Sequence, residues 1–324
     1  MGNQWGAQQS KKTDTPPAPT YGADYFRDLY SKASDTQISA PTRMALVGKE
    51  NTAKTGLAID FCAKEIKAGK KVVIFDFDNS AEATVDYVCR DSKGKRYDNV
   101  VILRLFDECD ESIFNDDNST NWVALIDKVE WLTNVVAEDS DGVAAVIFDG
   151  ASTLLKWCEF AMTWVLQNRE NNPIDPDNER FNQSEWRVRN KLFRNALNRV
   201  HSLPIQKVFF TFHLKDKKSF VDDGTGKKVL MTVGEHPDWV DGTQRKMSQQ
   251  IFLARYMKNG DIAAGVSEDK SLADGEWVIR ATVEEMKGFG TEHLGLTRTI
   301  LQVKDGKVKW NGLPELIPKA PKGK

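Results

Sequence analysis

Between a short apolar run and a stretch with helical spacing stand Lys49, Glu50, Asn51, Thr52, Ala53, Lys54 and Thr55, preceded by Gly48 and followed by Gly56. Gly48, Lys54 and Thr55 fall at the spacing of G-x-x-x-x-G-K-[ST], a loop whose backbone amides and following helix N-terminus hold phosphate. In that reading Lys54 reaches the β- and γ-phosphates and the Thr55 hydroxyl takes Mg²⁺, so residues Gly48 to Gly56 form a candidate site for ATP and Mg²⁺. Ala53 replaces the second glycine and brings a β-carbon into a turn that normally bends closely around a phosphate. The plainer alternative is a strand, a turn and a helix that happen to contain Lys-Thr.

Three further stretches offer groups that would complete such a site. AAVIFDG ends in Asp149, an acid after an apolar run, where a carboxylate could hold Mg²⁺ through water; an Asp-Gly turn is the alternative. KKVVIFDFD ends in Asp76-Phe77-Asp78, and Asp78 could orient and polarise an attacking water or instead cap a helix beginning near Ser80. KVFFTFHL ends in Thr211-Phe212-His213, and His213 could register whether a γ-phosphate is present.

These groups need a scaffold that brings strand ends together. Met44–Val47, Lys70–Asp78, Asn99–Phe106, Gly142–Gly150 and Lys207–Leu214 read as strands, the longer ones nearly all apolar, as in a sheet buried on both faces. Trp122, Leu125, Ile126, Val129, Leu132 and Val136 recur at helical steps, as do Trp186, Phe193, Ala196, Leu197 and Val200. Strands alternating with amphipathic helices predict a parallel α/β sheet, with ligands at the C-terminal ends of its strands. After Leu214 the pattern turns to short strands: a hairpin in SFVDDGTGKKVLMTV, then QQIFLARYM, EWVIRATVEEM and TILQVKDGKVKW, mostly antiparallel. The expected division is a flexible N-terminal tail over 1–40, where a short helix could form within Tyr21–Ser34, one domain over 41–312, and a flexible C-terminal tail over 313–324.

The run strand–GKENTAKT–helix, IFDFD, VIFDGASTLL and VFFTFHLKD resembles the core of the RecA/RadA-type ATPases. It is most similar to the compact RecA-like ATPases of bacteriophages, proposed to act in single-strand annealing and recombination. The resemblance covers about residues 40 to 310 and implies a RecA-like P-loop NTPase fold. It also implies that Lys54, Asp78, Asp149 and His213 are catalytic, with Asp78 at the position of the family's catalytic Glu and His213 at that of its γ-phosphate sensor. Single-stranded DNA would be bound by loops after the fourth and fifth strands, here Gln167–Ser184 and Lys215–Gln249. The second carries Lys215, Lys217, Lys218, Lys227, Lys228, Arg245 and Lys246 with Phe220 and Trp239, a mixture of charge and stacking rings that suits single strands. A trans-acting finger from a neighbouring subunit would match Lys287, with Phe289 where the relatives have arginine. Self-assembly into a ring or filament, and contact with a single-strand binding protein or other replication proteins, are further implications.

Asp216, Asp222, Asp223, Glu235, Asp238 and Asp241 leave that basic stretch only about one net positive charge, so a solvated hairpin stays open as a reading. Arg187, Lys191 and Arg194 form a second basic set, on the helix face away from its apolar stripe. Formal net charge is −2 and pI about 6.2, so a nucleic acid would have to be held by a local basic surface. The four cysteines show no C-x-x-C pair, there is no signal-peptide pattern, and no apolar run is long enough to span a bilayer, which together predict a soluble cytoplasmic protein without a membrane partner. Three rivals share the loop: a helicase or DNA-packaging motor, a small-molecule kinase with a lid around Arg180, Arg187 and Arg189, and a nucleotide-binding structural subunit that hydrolyses nothing.

Overall fold

The computed structural model describes residues 27, 41–107, 109–171, 173–175, 180–222, 224, 227–261, 264–287 and 291–316. The chain divides into Met1–Ala40 and Pro41–Lys324. In the first unit Arg27, which is helical, is the one described residue; the rest of the expected tail and of its short helix lies outside the described residues.

The second unit is built on a ten-stranded sheet. Five strands run parallel: β1 Thr42–Gly48, β2 Lys71–Asp76, β3 Val100–Arg104, β4 Val143–Asp149 and β5 Lys207–Phe212, adjacent in the order β1-β5-β4-β2-β3. On the other side of β1 lies β8 Gln249–Met257, also parallel to it, so QQIFLARYM extends the parallel region and does not begin the antiparallel one. Beyond it β10 Trp277–Met286, β11 Thr297–Lys304 and β12 Lys307–Trp310 are antiparallel, and β9 Val266–Glu268 pairs with β8. The expected fold class holds: α/β, with a mainly parallel central sheet and antiparallel C-terminal strands. β6 Leu214–Asp222 and β7 Lys228–Pro237 form a separate two-stranded hairpin, as the sequence predicts.

Side-chain alternation along the strands divides the core between two faces. Ala45, Val47, Val146 and Phe148 point to one face, where α4 Trp122–Glu138, α5 Ala151–Gln167 and α6 Gln183–His201 supply Leu125, Leu154, Cys158, Phe193 and Leu197. Met44, Leu46, Ala145 and Ile147 point to the other, covered by α1 Lys54–Asp60, α2 Ala63–Lys67 and α3 Ala81–Val88 through Leu57, Ile66 and Val85. Burying strands on both faces is what makes their sequences read as unbroken apolar runs. Phe75 stacks on Phe148 at 4.5 Å and Phe77 meets Trp157 at 5.4 Å, so the strand ends that carry Asp76, Asp78 and Asp149 rest on a packed aromatic layer. Leu313 and Leu316, in the stretch expected as a flexible tail, are buried in the second core cluster, whereas 317–324 lie outside the described residues.

Candidate phosphate and metal site

The loop after β1 takes its shape from two left-handed residues. Asn51 has φ 57°, and Ala53 has φ 60° and ψ 28° at the N-cap of α1. Ala53 therefore adopts the conformation that a glycine would occupy without steric cost, and the backbone has not shifted to avoid it. At Gly48 a β-carbon would sit 2.5 Å from the Leu253 carbonyl oxygen and 2.6 Å from Thr52 Oγ1, so this first glycine is required by close approach.

Lys54 is buried, and its Nζ turns back to donate to the carbonyls of Gly48 at 3.0 Å and Lys49 at 2.7 Å. Burial pulls its ammonium down to about 8, against the upward pull of Asp149, Asp78 and Glu50. The Thr55 hydroxyl donates to both carboxylate oxygens of Asp149, at 2.8 and 2.9 Å, and Thr211 Oγ1 donates to one of them at 2.9 Å. Thr211 Oγ1 also accepts the Gly150 amide at 2.7 Å, fastening the end of β5 to that of β4. Burial raises the Asp149 carboxyl to about 6, even with the Thr55 and Thr211 hydrogen bonds favouring its charged form.

Asp76 and Asp78 divide the work that the sequence left open. Asp76 accepts the amides of Ser80 at 3.2 Å and Ala81 at 3.0 Å, so it caps α3, a role that Ser80's own side chain does not perform. That leaves Asp78 to the site. Its carboxylate accepts the Thr153 hydroxyl and meets His213 Nε2 at 3.3 Å. It also lies against Gly150, φ 90°, where a β-carbon would come within 2.6 Å of it. Burial pushes the Asp78 carboxyl up, but the hydrogen bonds from His213 and Thr153 and the charges of His213 and Lys54 outweigh it and hold the carboxyl below its ordinary range. His213 is anchored in turn, its amide donating to Ser152 Oγ at 2.9 Å and that hydroxyl to the Asp238 carbonyl at 3.0 Å.

Lys54, Thr55, Asp78, Asp149 and His213 thus converge at the C-terminal ends of β1, β2, β4 and β5 from four separate stretches of sequence. Thr153, Ser152 and Thr211 join them; only Thr211 had a sequence signal, its place at a strand end, and hydroxyls on the first turn of an unannounced helix had none. A Mg²⁺ ion fits the donor set, since a threonine hydroxyl and an aspartate already share one point and both are hard oxygen donors. Among the described residues no group of three or more His, Cys, Asp or Glu side chains could hold a metal, so an ion here would draw its remaining ligands from phosphate and water.

The residues expected to bind DNA do not lie together. Lys215, Lys217 and Lys218 are on β6, Lys228 opens β7 and Lys227 immediately precedes it, all on the hairpin that rises from the same end of the sheet as the site. Lys215 is paired with Asp238 at 2.5 Å. Arg245 and Lys246 are on the 3-10 turn Thr243–Lys246, where Lys246 bonds Asn198 and its carbonyl meets His201, near the C-terminus of α6. Met286 pairs with Gln249 and Gln249 with Met44, which puts Lys287 at the opposite end of the sheet from Gly48. Lys287 donates to the carbonyls of Gln244 at 3.0 Å and Arg245 at 3.2 Å. Phe289 lies outside the described residues.

Of the two expected stacking rings, Phe220 is exposed but Trp239 packs edge-on against Phe212 at 5.1 Å, because the chain turns back into the domain at that point. Phe220 faces Leu230 across the hairpin and Val221 faces Val229, so apolar side chains occupy both faces of the tip. Arg187, Lys191 and Arg194 are exposed on α6, with Arg194 donating to the Asp241 carbonyl at 3.1 Å. Part of Gln167–Ser184, including 176–179, lies outside the described residues.

The family model of the AAA domain matches residues 40–250. Among solved structures, the RadB recombinase aligns over 83% of this chain and 90% of its own at 10% identity, with a TM-score of 0.39. A KaiC-like protein from the hyperthermophilic archaeon Pyrococcus horikoshii OT3 aligns over 83% and 89% at 11% identity, with a TM-score of 0.44. No curated protein sequence matches this chain. Among the described residues no helix is long and apolar enough to cross a membrane.

Proposed function

The chain belongs to the AAA domain family, and from that premise we propose that it binds Mg·ATP at Gly48–Thr55 and hydrolyses it as a RecA-like ATPase. The observation that carries this reading is the convergence of Lys54, Thr55, Asp149, Asp78 and His213 at one set of strand ends.

In this reading Lys54 leaves the loop carbonyls for the β- and γ-phosphates, and the amides of the loop and of the first turn of α1 take the remaining phosphate oxygens. Thr55 and Asp149 hold Mg²⁺, which when bound neutralises charge on the phosphates. Asp78, kept ionised by its partners, accepts a hydrogen bond from the attacking water and orients it in line. His213 bridges Asp78 to the root of the hairpin, which suits it to register the γ-phosphate.

The substrate on which this ATPase acts is read as single-stranded DNA, in phage or plasmid recombination or replication, with the protein assembled as a ring or filament. The basic hairpin at the nucleotide end supports this through Lys217, Lys218, Lys227, Lys228 and the exposed Phe220. A second reading, a protein partner for the hairpin, is favoured by the exposed aliphatic side chains of Leu230, Met231 and Val233, which bind bases poorly. ATP turnover with Mg²⁺, measured with and without single-stranded DNA, separates them. Turnover that rises with DNA supports the first reading; turnover indifferent to DNA removes it and favours the protein partner; no turnover at all contradicts the ATPase.

A further inference from the structure

The phosphate loop touches the hairpin through Lys49. The Lys49 carbonyl accepts Lys54 Nζ at 2.7 Å and Thr52 Oγ1 at 2.8 Å. Its side chain leaves the loop in the other direction, passes Gly265 at φ 71°, and ends on Glu235 Oε1 of β7 at 2.5 Å. Glu235 lies two residues before Pro237, which pairs with Leu214 at the hairpin root. Beside the ion pair is a cavity of about 240 Å³ lined by Lys49, Thr52, Leu214, Glu235, Leu253 and Val266. Across the root, His213 and Asp238 hold the other side, with the Asp238 amide donating to the His213 carbonyl at 2.8 Å.

Nucleotide must disturb this arrangement. Lys54 spends two of its three N–H donors on the carbonyls of Gly48 and Lys49, so drawing its ammonium toward a phosphate pulls on the bond to the Lys49 carbonyl. The arriving polyanion also attracts the Lys49 ammonium and repels the Glu235 carboxylate. The two side chains are 34% and 38% exposed, so their attraction is screened and a multiply charged competitor in the same loop prevails.

We propose that the Lys49–Glu235 pair is a latch that ties the hairpin to the phosphate loop and is released when nucleotide binds. The inference rests on the nucleotide reading above and adds its regulation: whatever strengthens the latch weakens nucleotide binding, and whatever ligand favours the released hairpin strengthens it. Glu235 is a positioning residue in this scheme, outside the binding machinery.

Hydrogen exchange of hairpin amides in the full chain, with and without Mg²⁺ and a non-hydrolysable ATP analogue, tests it in wild type and Glu235→Gln, alongside direct titration of the analogue. In wild type, exchange over 214–237 rises when the analogue binds. In Glu235→Gln it is already high without nucleotide, changes little on binding, and the analogue binds about two- to fivefold more tightly, the range an exposed ion pair supports. Binding to wild type with no change in hairpin exchange overturns the latch and leaves the nucleotide reading standing, as does a variant indistinguishable from wild type. Failure of the analogue to bind either protein overturns the nucleotide reading and the latch's trigger with it.

Discussion

At Ala53 the sequence poses a question that its own letters cannot answer. The motif wants glycine, and an alanine could be met by moving the loop or by accepting an unfavourable backbone conformation. The chain does the second, with Ala53 at φ 60°. A left-handed non-glycine residue costs about 1–2 kcal/mol, and the extra freedom glycine gives the unfolded chain returns about 0.4–1 kcal/mol of that. Ala53→Gly is therefore expected to raise unfolding free energy by about 0.8 kcal/mol in denaturant titrations, the difference between the midpoints of those two ranges. A loss of stability would show that the alanine methyl makes packing contacts that outweigh the strain. The same limit applies to Asp76 and Asp78. They lie two apart and both follow an apolar run, so type and spacing leave their roles interchangeable; which one meets the amides of Ser80 and Ala81 depends on where α3 begins. Thr211 stands out by its place at a strand end, but a threonine that clasps a buried carboxylate looks like any β-branched residue in a strand, so its bond to Asp149 is not legible.

Among elements, the parallel strands and the two helices with clear apolar stripes are legible because burial imposes a period on them. α5 carries such a stripe as well, its buried Ala151, Leu154, Leu155, Trp157, Cys158, Ala161 and Met162 falling on one half of its circumference, but Phe160 on the opposite half adds apolar character outside it and makes the period harder to read. β8 reads as one more short strand among several; only its pairing with β1 makes it parallel, and pairing is a long-range property. The hairpin is legible as a hairpin but not as a free one. β6 and β7 pair with each other alone, and Phe220, Leu230 and Met231 are more than half exposed. A two-stranded ribbon without a covering layer adds little to the stability of the domain. Replacing residues 218–232 by a short Gly-containing turn should leave unfolding free energy within about 1 kcal/mol of wild type, as for other surface changes, and leave nucleotide affinity intact while abolishing any DNA stimulation of turnover. A large loss of stability on unfolding would show that the hairpin is part of the core structure; retained DNA stimulation would move the DNA contact elsewhere.

For the molecule as a whole, the sheet separates the basic groups that the sequence presents as one run. Lys215 to Lys228 stand at the end where the phosphate loop lies, and Arg245, Lys246 and Lys287 at the other, about 13 Å away if the four steps from Met44 to Gly48 are taken at strand rise. At that separation from Gly48, a residue such as Lys287 could complete a phosphate site only in another copy. Association of copies, end against end, is thus what the finger reading requires. The hairpin, the latch and the shared site all depend on one claim, that Gly48–Thr55 holds the phosphates of a nucleotide. Titration of the full chain with Mg²⁺ and a fluorescent ATP analogue, in wild type and Lys54→Ala, measures that claim directly. Loss of a charged hydrogen-bond donor worth about 1.5–3 kcal/mol predicts affinity about 10- to 100-fold weaker in the variant. Equal affinity in the two proteins would contradict it, since the ammonium that now donates to Gly48 and Lys49 would have no part in holding phosphate.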